Sequence, residues 1–190
     1  MSLSTDKRAV KTRKKLFDAY LQLLKTTAPH DITIQQLTKH ANINRVTFYK
    51  HFQHIANFHE QFTLHYFEEL YGFMKSLNYK TYVKGFELEA LVALFTHIEQ
   101  QQDVYKVLFT SPNLQQFNQQ LLDFFQQKIK KHTEELAMFD FPGTGVQQEI
   151  VAWYGMSALL GTIHMWIQSD FRYSPTMLAT SFVKLSPHPN

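Results

Sequence analysis

The run Thr33-Ile34-Gln35-Gln36-Leu37-Thr38-Lys39-His40-Ala41-Asn42-Ile43-Asn44-Arg45-Val46-Thr47-Phe48-Tyr49-Lys50-His51-Phe52 reads as two short helices joined by a tight turn. Thr33 with Gln36 three residues later has the spacing of a capping box, which predicts a helix whose Leu37 and Ala41 face inward. Asn42 tolerates the left-handed backbone that a tight turn needs. Asn44 then stands where a cap belongs, opening a third helix over about residues 45–51. Together with a helix ahead of them, these elements are the minimum frame for placing a recognition helix in the major groove of DNA.

Helical geometry sorts the side chains of that third helix. With Phe48 as the inward reference, Phe52 falls beside it, Val46 and Lys50 point away, and Thr47 and Tyr49 flank them. The outward set offers an apolar group for a thymine methyl, a cation, a hydroxyl and a phenol. Arg45 at the helix start reaches a guanine edge or a phosphate. Thr33, Gln35 and Asn44 at the helix starts, with His51, are the remaining candidate DNA contacts. Thr33 and Asn44 also fit a second reading as helix caps alone, and Tyr49 one as core.

Charge distribution points the same way. The formal net charge is only +3, but residues 1–55 carry ten Lys and Arg against three Asp, a local charge of +7. The rest of the chain carries nine basic and thirteen acidic residues, a charge of −4. A polyanionic partner for the N-terminal quarter explains this split; a solubilising basic tail is the alternative.

Outward from this stretch the periodicity is helical throughout. Residues 6–26 place Val10, Phe17, Leu21 and Leu24 on one face, and the Ala28-Pro29-His30-Asp31 run breaks the pattern. A long helix over 54–77 is striped by Phe58, Phe62, Tyr66, Leu70, Phe73 and Leu77, and Asn78–Lys84 reads as a linker. Helices follow near 85–102 (Leu88, Leu91, Val92, Phe95, Ile98), 103–110 and 113–138 (Phe117, Leu121, Phe124, Phe125, Ile129, Leu136). Pro142-Gly143-Thr144-Gly145 is a break, an apolar helix spans about 146–169, and Ser174-Pro175 opens a last helix. The expected class is all-α with about nine helices: a three-helix DNA-binding domain over residues 1–54 and a helical bundle over 55–190, with helix 54–77 linking the two.

The composition excludes several function classes. There is no cysteine, so no disulfide framework or thiolate metal site exists. No apolar run is long enough for a membrane span, and the basic, polar start lacks the apolar core of a secretory signal. A cytoplasmic protein is expected. His51, His54, His59 and His65 show neither helical zinc spacing nor a His-Glu-x-x-His motif, and read as solvated or capping histidines. No phosphate loop, nucleophile elbow or cofactor motif occurs, so neither enzyme nor cofactor is expected. The Gln-rich stretch 100–127 keeps helical apolar spacing and reads as a polar helix face.

The stretch 33–52, with Thr12-Arg13-Lys14-Lys15-Leu16 ahead of it, resembles the TetR family signature over residues about 8–62. That pattern runs threonine, aliphatic, two variable residues, aliphatic and a small-residue turn; its ending is most distinctly matched by Thr47-Phe48-Tyr49-Lys50-His51-Phe52. Two positions depart from it: Asn42 stands where glycine is frequent, and Ile55 replaces a lysine that normally contacts phosphate. Losing one phosphate contact should flatten the salt dependence of DNA binding by about one unit of slope.

The segment Trp153-Tyr154-Gly155-Met156-Ser157-Ala158-Leu159-Leu160-Gly161-Thr162-Ile163-His164-Met165-Trp166-Ile167, followed by Ser174-Pro175, resembles the Firmicutes-type subgroup that includes dihydroxyacetone kinase operon regulators. The resemblance implies a DNA-binding transcriptional regulator, a repressor released by a small-molecule effector and acting as a homodimer on double-stranded operator DNA. A coactivator working through a protein partner is the second reading, and a helical small-molecule enzyme or carrier the third.

Gly155, Ala158, Gly161 and Thr162 lie along one helix side. With Met177, Leu178, Phe182 and Leu185 they are the four-helix dimer interface that the resemblance implies, intrachain packing against helix 113–138 being the alternative. Phe62, Tyr66, Tyr105, Phe109, Trp153 and His164 are the expected effector-pocket residues, although an aromatic stripe at helical spacing is more often plain core.

Overall fold

A computed structural model describes residues 7–76, 88–110, 117–135 and 147–185. Within them lie nine α-helices and no strand: α1 (Lys7–Leu24), α2 (Ile34–His40), α3 (Arg45–Tyr49), α4 (Ile55–Ser76), α5 (Leu88–Gln100), α6 (Gln102–Thr110), α7 (Phe117–Glu135), α8 (Gln148–Gln168) and α9 (Pro175–Leu185). The all-α architecture expected from periodicity is therefore the one observed. The expected linker 78–84, the break at 142–145 and the residues Leu77 and Leu136 lie outside the described residues.

Two compact units divide the chain, the first containing residues 7–66 and the second residues 67–76, 88–110, 117–135 and 147–185. In the first, α1 buries Leu16, Phe17, Tyr20, Leu21 and Leu24. Phe17 meets Phe58 and Phe62 edge-on at 5.7 and 5.3 Å, and Tyr20 meets Phe62 at 4.7 Å. Phe48 and Phe52 complete this aromatic core, 5.4 Å apart, with Phe52 5.0 Å from Phe58. Edge-to-face pairs of this kind add to the apolar area that each ring removes from water. Val10, expected on the buried side of α1, is 51% exposed, because it lies more than one turn ahead of Leu16, the first residue that α1 buries.

Local chemistry terminates each element here. Pro29 opens a short 3-10 turn over Pro29–Asp31 that ends the run from α1. α2 closes with Asn42 at φ 51°, and the Ile43 N–H donates to the Thr38 carbonyl at 2.9 Å. This is the six-residue closure of a left-handed helix cap, a position Asn accepts at lower strain than branched residues. His54 Nδ1 accepts the Asn57 N–H at 3.1 Å and caps α4.

In the second unit α9 packs along α5, while α8 lies against both α6 and α7. Leu91, Leu94, Phe95 and Ile98 of α5 are buried; Leu88, expected among them, is 42% exposed at the first turn of the helix. Trp166 sits edge-on to Phe95 at 5.5 Å, and its indole N–H donates to the Tyr173 carbonyl at 2.8 Å. Asp170 and Phe171, both at positive φ, reverse the chain after α8, and the Phe171 N–H closes back onto the Trp166 carbonyl at 3.1 Å. The Lys106 ammonium holds this turn from α6, paired with Asp170 at 2.5 Å and 5.6 Å from the centre of the Phe171 ring.

Candidate nucleic-acid interface and effector surfaces

α3 presents two faces of opposite character because Phe48 anchors it. Phe48 is wholly buried and Phe52 nearly so, whereas Val46 is 65% and Tyr49 51% exposed. Arg45 and Lys50 are exposed beside them, and Thr47 and His51 are half-buried. Tyr49 touches the Phe48 ring edge-on at 5.6 Å but leaves half of its surface exposed, so it is not a core residue. The outward set Arg45, Val46, Tyr49 and Lys50 thus lies together as the helical geometry predicts.

The caps of the two short helices engage the side chains also proposed for DNA. Gln36 Oε1 accepts the Thr33 backbone N–H and hydroxyl, each at 2.8 Å, and the Gln36 N–H donates to Thr33 Oγ1 at 3.2 Å. Asn44 Oδ1 accepts the Val46 N–H at 2.8 Å. Gln35 is exposed on the first turn of α2. Behind this surface α1 carries exposed Lys7, Arg8, Lys11, Lys14 and Lys15. Arg13 instead lies over the Phe52 ring at 5.1 Å, joining α1 to the last residue of the motif.

Among the histidines, His54 is a cap, as the sequence suggests. His59 is not solvated: it stacks on Tyr20 at 5.0 Å, its Nε2 is buried without a hydrogen-bond partner among the described residues, and burial lowers its pKa. The flanking pattern gave no sign of this, because the Tyr20 ring that covers it is 39 residues away. Among the described residues no group of three or more His, Asp or Glu gathers to hold a metal.

The expected effector residues are divided between the two units. Phe62 and Tyr66 are core residues of the first unit, while Tyr105, Phe109, Trp153 and His164 belong to the second. Tyr105 and Phe109 are buried and Trp153 is 45% exposed. Phe109 and His164 do share an open groove of about 380 Å³ with Leu121, Leu122, Gly161 and Met165. A polar cluster absent from the sequence reading lies elsewhere in this unit. Tyr105 Oη is 2.9 Å from His97 Nε2, and Glu69 Oε1 is 3.6 Å from the same nitrogen. These residues come from three helices at no shared spacing, so periodicity could not group them.

α8 is apolar on all sides, which hid its outward face in the sequence. Met156, Leu159, Ile163, Trp166 and Ile167 are buried, while Ile150, Tyr154 and Met165 are each at least 49% exposed, with Ser157 and Gly161 between them. Gly155, Ala158 and Thr162 are half-buried flanks of this stripe. On α9 Met177 is 55% exposed and Leu185 81%; Leu178 is half-buried, and Phe182 is packed within its own chain at 8%. A Cβ added at Gly161 would meet nothing within 4 Å, so no helix among the described residues approaches closely there.

Among the described residues no helix is long and apolar enough to cross a membrane. No curated protein sequence matches the chain. Solved structures do: a TetR transcriptional regulator from Streptococcus agalactiae superposes with a TM-score of 0.63 at 18% identity, covering 96% of this chain and 97% of that one. The dihydroxyacetone kinase operon activator DhaS gives 0.59 at 20%, covering 93% and 94%. FadR from Bacillus subtilis, solved in complex with stearoyl-CoA, gives 0.58 at 12%, covering 90% and 96%. At such identities these likenesses establish the fold. Residues 88–188, just over half of the chain, match the family described as the TetR-type transcriptional regulator C-terminal region. The chain belongs to the TetR family of DNA-binding transcriptional regulators.

Proposed function

We propose that this regulator is a repressor that binds operator DNA as a homodimer and is released by a small-molecule effector. Residues 1–54 are the DNA-binding domain and 55–190 the regulatory and dimerisation domain. The observation that carries the DNA reading is the exposure of Val46, Tyr49, Arg45 and Lys50 around a buried Phe48. Arg45, Val46, Thr47, Tyr49 and Lys50 read base edges, while Thr33, Gln35, Asn44 and His51 meet phosphates. Thr33 would exchange its Gln36 contact for a phosphate oxygen. This reading is of a cytoplasmic protein.

Support for the dimer comes from Gly161. An interior helical glycine is less favourable than alanine by about 1 kcal/mol, and nothing among the described residues requires its small size. A second copy of α8 does, and a two-fold axis would set two copies of α3 on half-sites about 34–36 Å apart. Stearoyl-CoA bound by the FadR structure is a precedent for a small-molecule effector on this fold. The likeness to an operon activator favours a second reading, in which the regulatory domain works through a protein partner.

Fluorescence anisotropy with DNA from around the protein's own gene tests the first reading. Specific, salt-dependent binding that Tyr49→Ala and Lys50→Ala weaken is expected, and unchanged affinity in both variants overturns the assignment. Recovery of a stable protein complex that is needed for transcription would favour the second reading.

A further inference from the structure

Glu69 of α4 lacks good donors. Its Oε1 is 3.4 Å from the Gln101 amide nitrogen and 3.6 Å from His97 Nε2, and its Oε2 is buried with no hydrogen-bond partner among the described residues. Carboxylates that are well held in folded proteins accept charge-assisted bonds at about 2.7–2.9 Å. A buried acceptor left unmade is expensive, and such a group calls for an explanation. His97 does not supply one. Its Nε2 is shared between Glu69 and Tyr105 Oη, 2.9 Å away, so at most one N–H serves two oxygens. Burial also lowers the pKa of His97 against the opposing pull of Glu69, which disfavours a charged imidazolium as the partner.

Aromatic rings line the same place. Phe73 lies 4.6 Å from the His97 ring, and Tyr105 is 5.7 Å from it. The cluster is not sealed, since the side chains of Glu69 and His97 retain 29% and 15% of their exposure. The terminal torsion of a glutamate is soft, so turning the carboxylate presents either oxygen to the open side. An under-supplied carboxylate beside aromatic rings suits a ligand that brings several N–H donors, a positive charge and an apolar body.

We propose that Glu69, with Gln101, His97, Tyr105 and Phe73, forms a binding site for a small organic ammonium compound. This rests on the reading of the second unit as an effector domain, and it names the ligand class of that domain. The ammonium group donates to Glu69, and the half-buried Phe73 ring flanks its apolar part, while the buried Tyr105 holds His97 from behind.

Calorimetric titration of the full chain with benzylammonium, benzyl alcohol and benzoate tests the site. Saturable binding of benzylammonium in preference to the other two is expected, weakened at least about tenfold by Glu69→Gln. Glu60→Gln, an exposed change on the same helix, should leave it intact. Should Glu69→Gln fail to fold, the wild-type protein still reports: benzylammonium should shift the His97 ring signals in NMR and leave those of exposed His30 in place. Equal binding of benzoate, retention of affinity by Glu69→Gln, or no saturable benzylammonium binding would each overturn the site. A compound that releases DNA equally from wild type and Glu69→Gln keeps the effector reading and sinks this site. Benzylammonium bound through Glu69 with operator affinity unaltered keeps the site and sinks the effector reading.

Discussion

Asn44 Oδ1 accepts the Val46 backbone N–H at 2.8 Å, so the residue before the recognition helix determines how that helix begins. The bond satisfies one of the orphan donors of the first turn of α3, which at five residues has little else to hold it. Asn44→Ala should lower stability by about 1 kcal/mol, and Asn44→Asp should largely restore it. Urea unfolding of both variants measures this. Loss of operator affinity in Asn44→Asp at full stability would show that the Asn44 amide also contacts DNA.

Replacing exposed residues of α3 separates reading from folding. Val46→Ala and Tyr49→Ala should change stability by less than about 0.5 kcal/mol while weakening operator binding by about 1–3 kcal/mol. Lys50→Ala should weaken operator binding by a similar amount and relax its sequence preference, as expected for a base-edge contact. Phe48→Ala, by contrast, empties the core of the unit and should destabilise it by about 3–5 kcal/mol. Parallel thermal melts and DNA titrations distinguish the two classes.

Asn42 holds φ 51° in the turn between α2 and α3. Asn42→Gly should keep or raise stability by a few tenths to about 1 kcal/mol, because glycine takes this conformation without strain. Asn42→Val should lower it by about 1–2 kcal/mol. A valine variant as stable as wild type would contradict the left-handed turn.

Acid should weaken the first unit through His59. Its pKa in the folded protein is depressed below the ordinary 6.5 by burial, so between that depressed value and 6.5 the unfolded chain binds more protons. The stability linked to it is fully present above pH 6.5 and falls as pH drops through the folded value. His97, depressed by burial and partly restored by Glu69, acts in the same direction in the second unit. His59→Phe keeps a ring against Tyr20 and removes the titration, so its stability should fall less steeply below pH 6.5 than that of wild type.

Gly161 distinguishes an interface from a free surface. Gly161→Ala should raise helix stability by about 1 kcal/mol, because the new methyl meets nothing in its own chain. If a second copy packs there, the same methyl should weaken the dimer, and Met165→Glu on the same exposed stripe should weaken it further. Light scattering over a dilution series measures both. An unchanged oligomeric state in both variants would remove α8 from the interface.

The sequence alone determined the helical class and the turn that runs from Thr33 to Phe52. These depend on interactions three to six residues apart: a capping box, a left-handed asparagine and an apolar stripe are all local. The two faces of α3 were legible for the same reason, since Phe48 and helical geometry suffice to place Val46 and Lys50. Only tertiary structure decided the rest. His59 became a buried ring because Tyr20 of another helix covers it, and Glu69 met His97 and Tyr105 through the packing of three helices. α8 showed its outward stripe only once Met156, Leu159 and Ile163 were seen to face inward, because a helix apolar on every side has no face to read from periodicity.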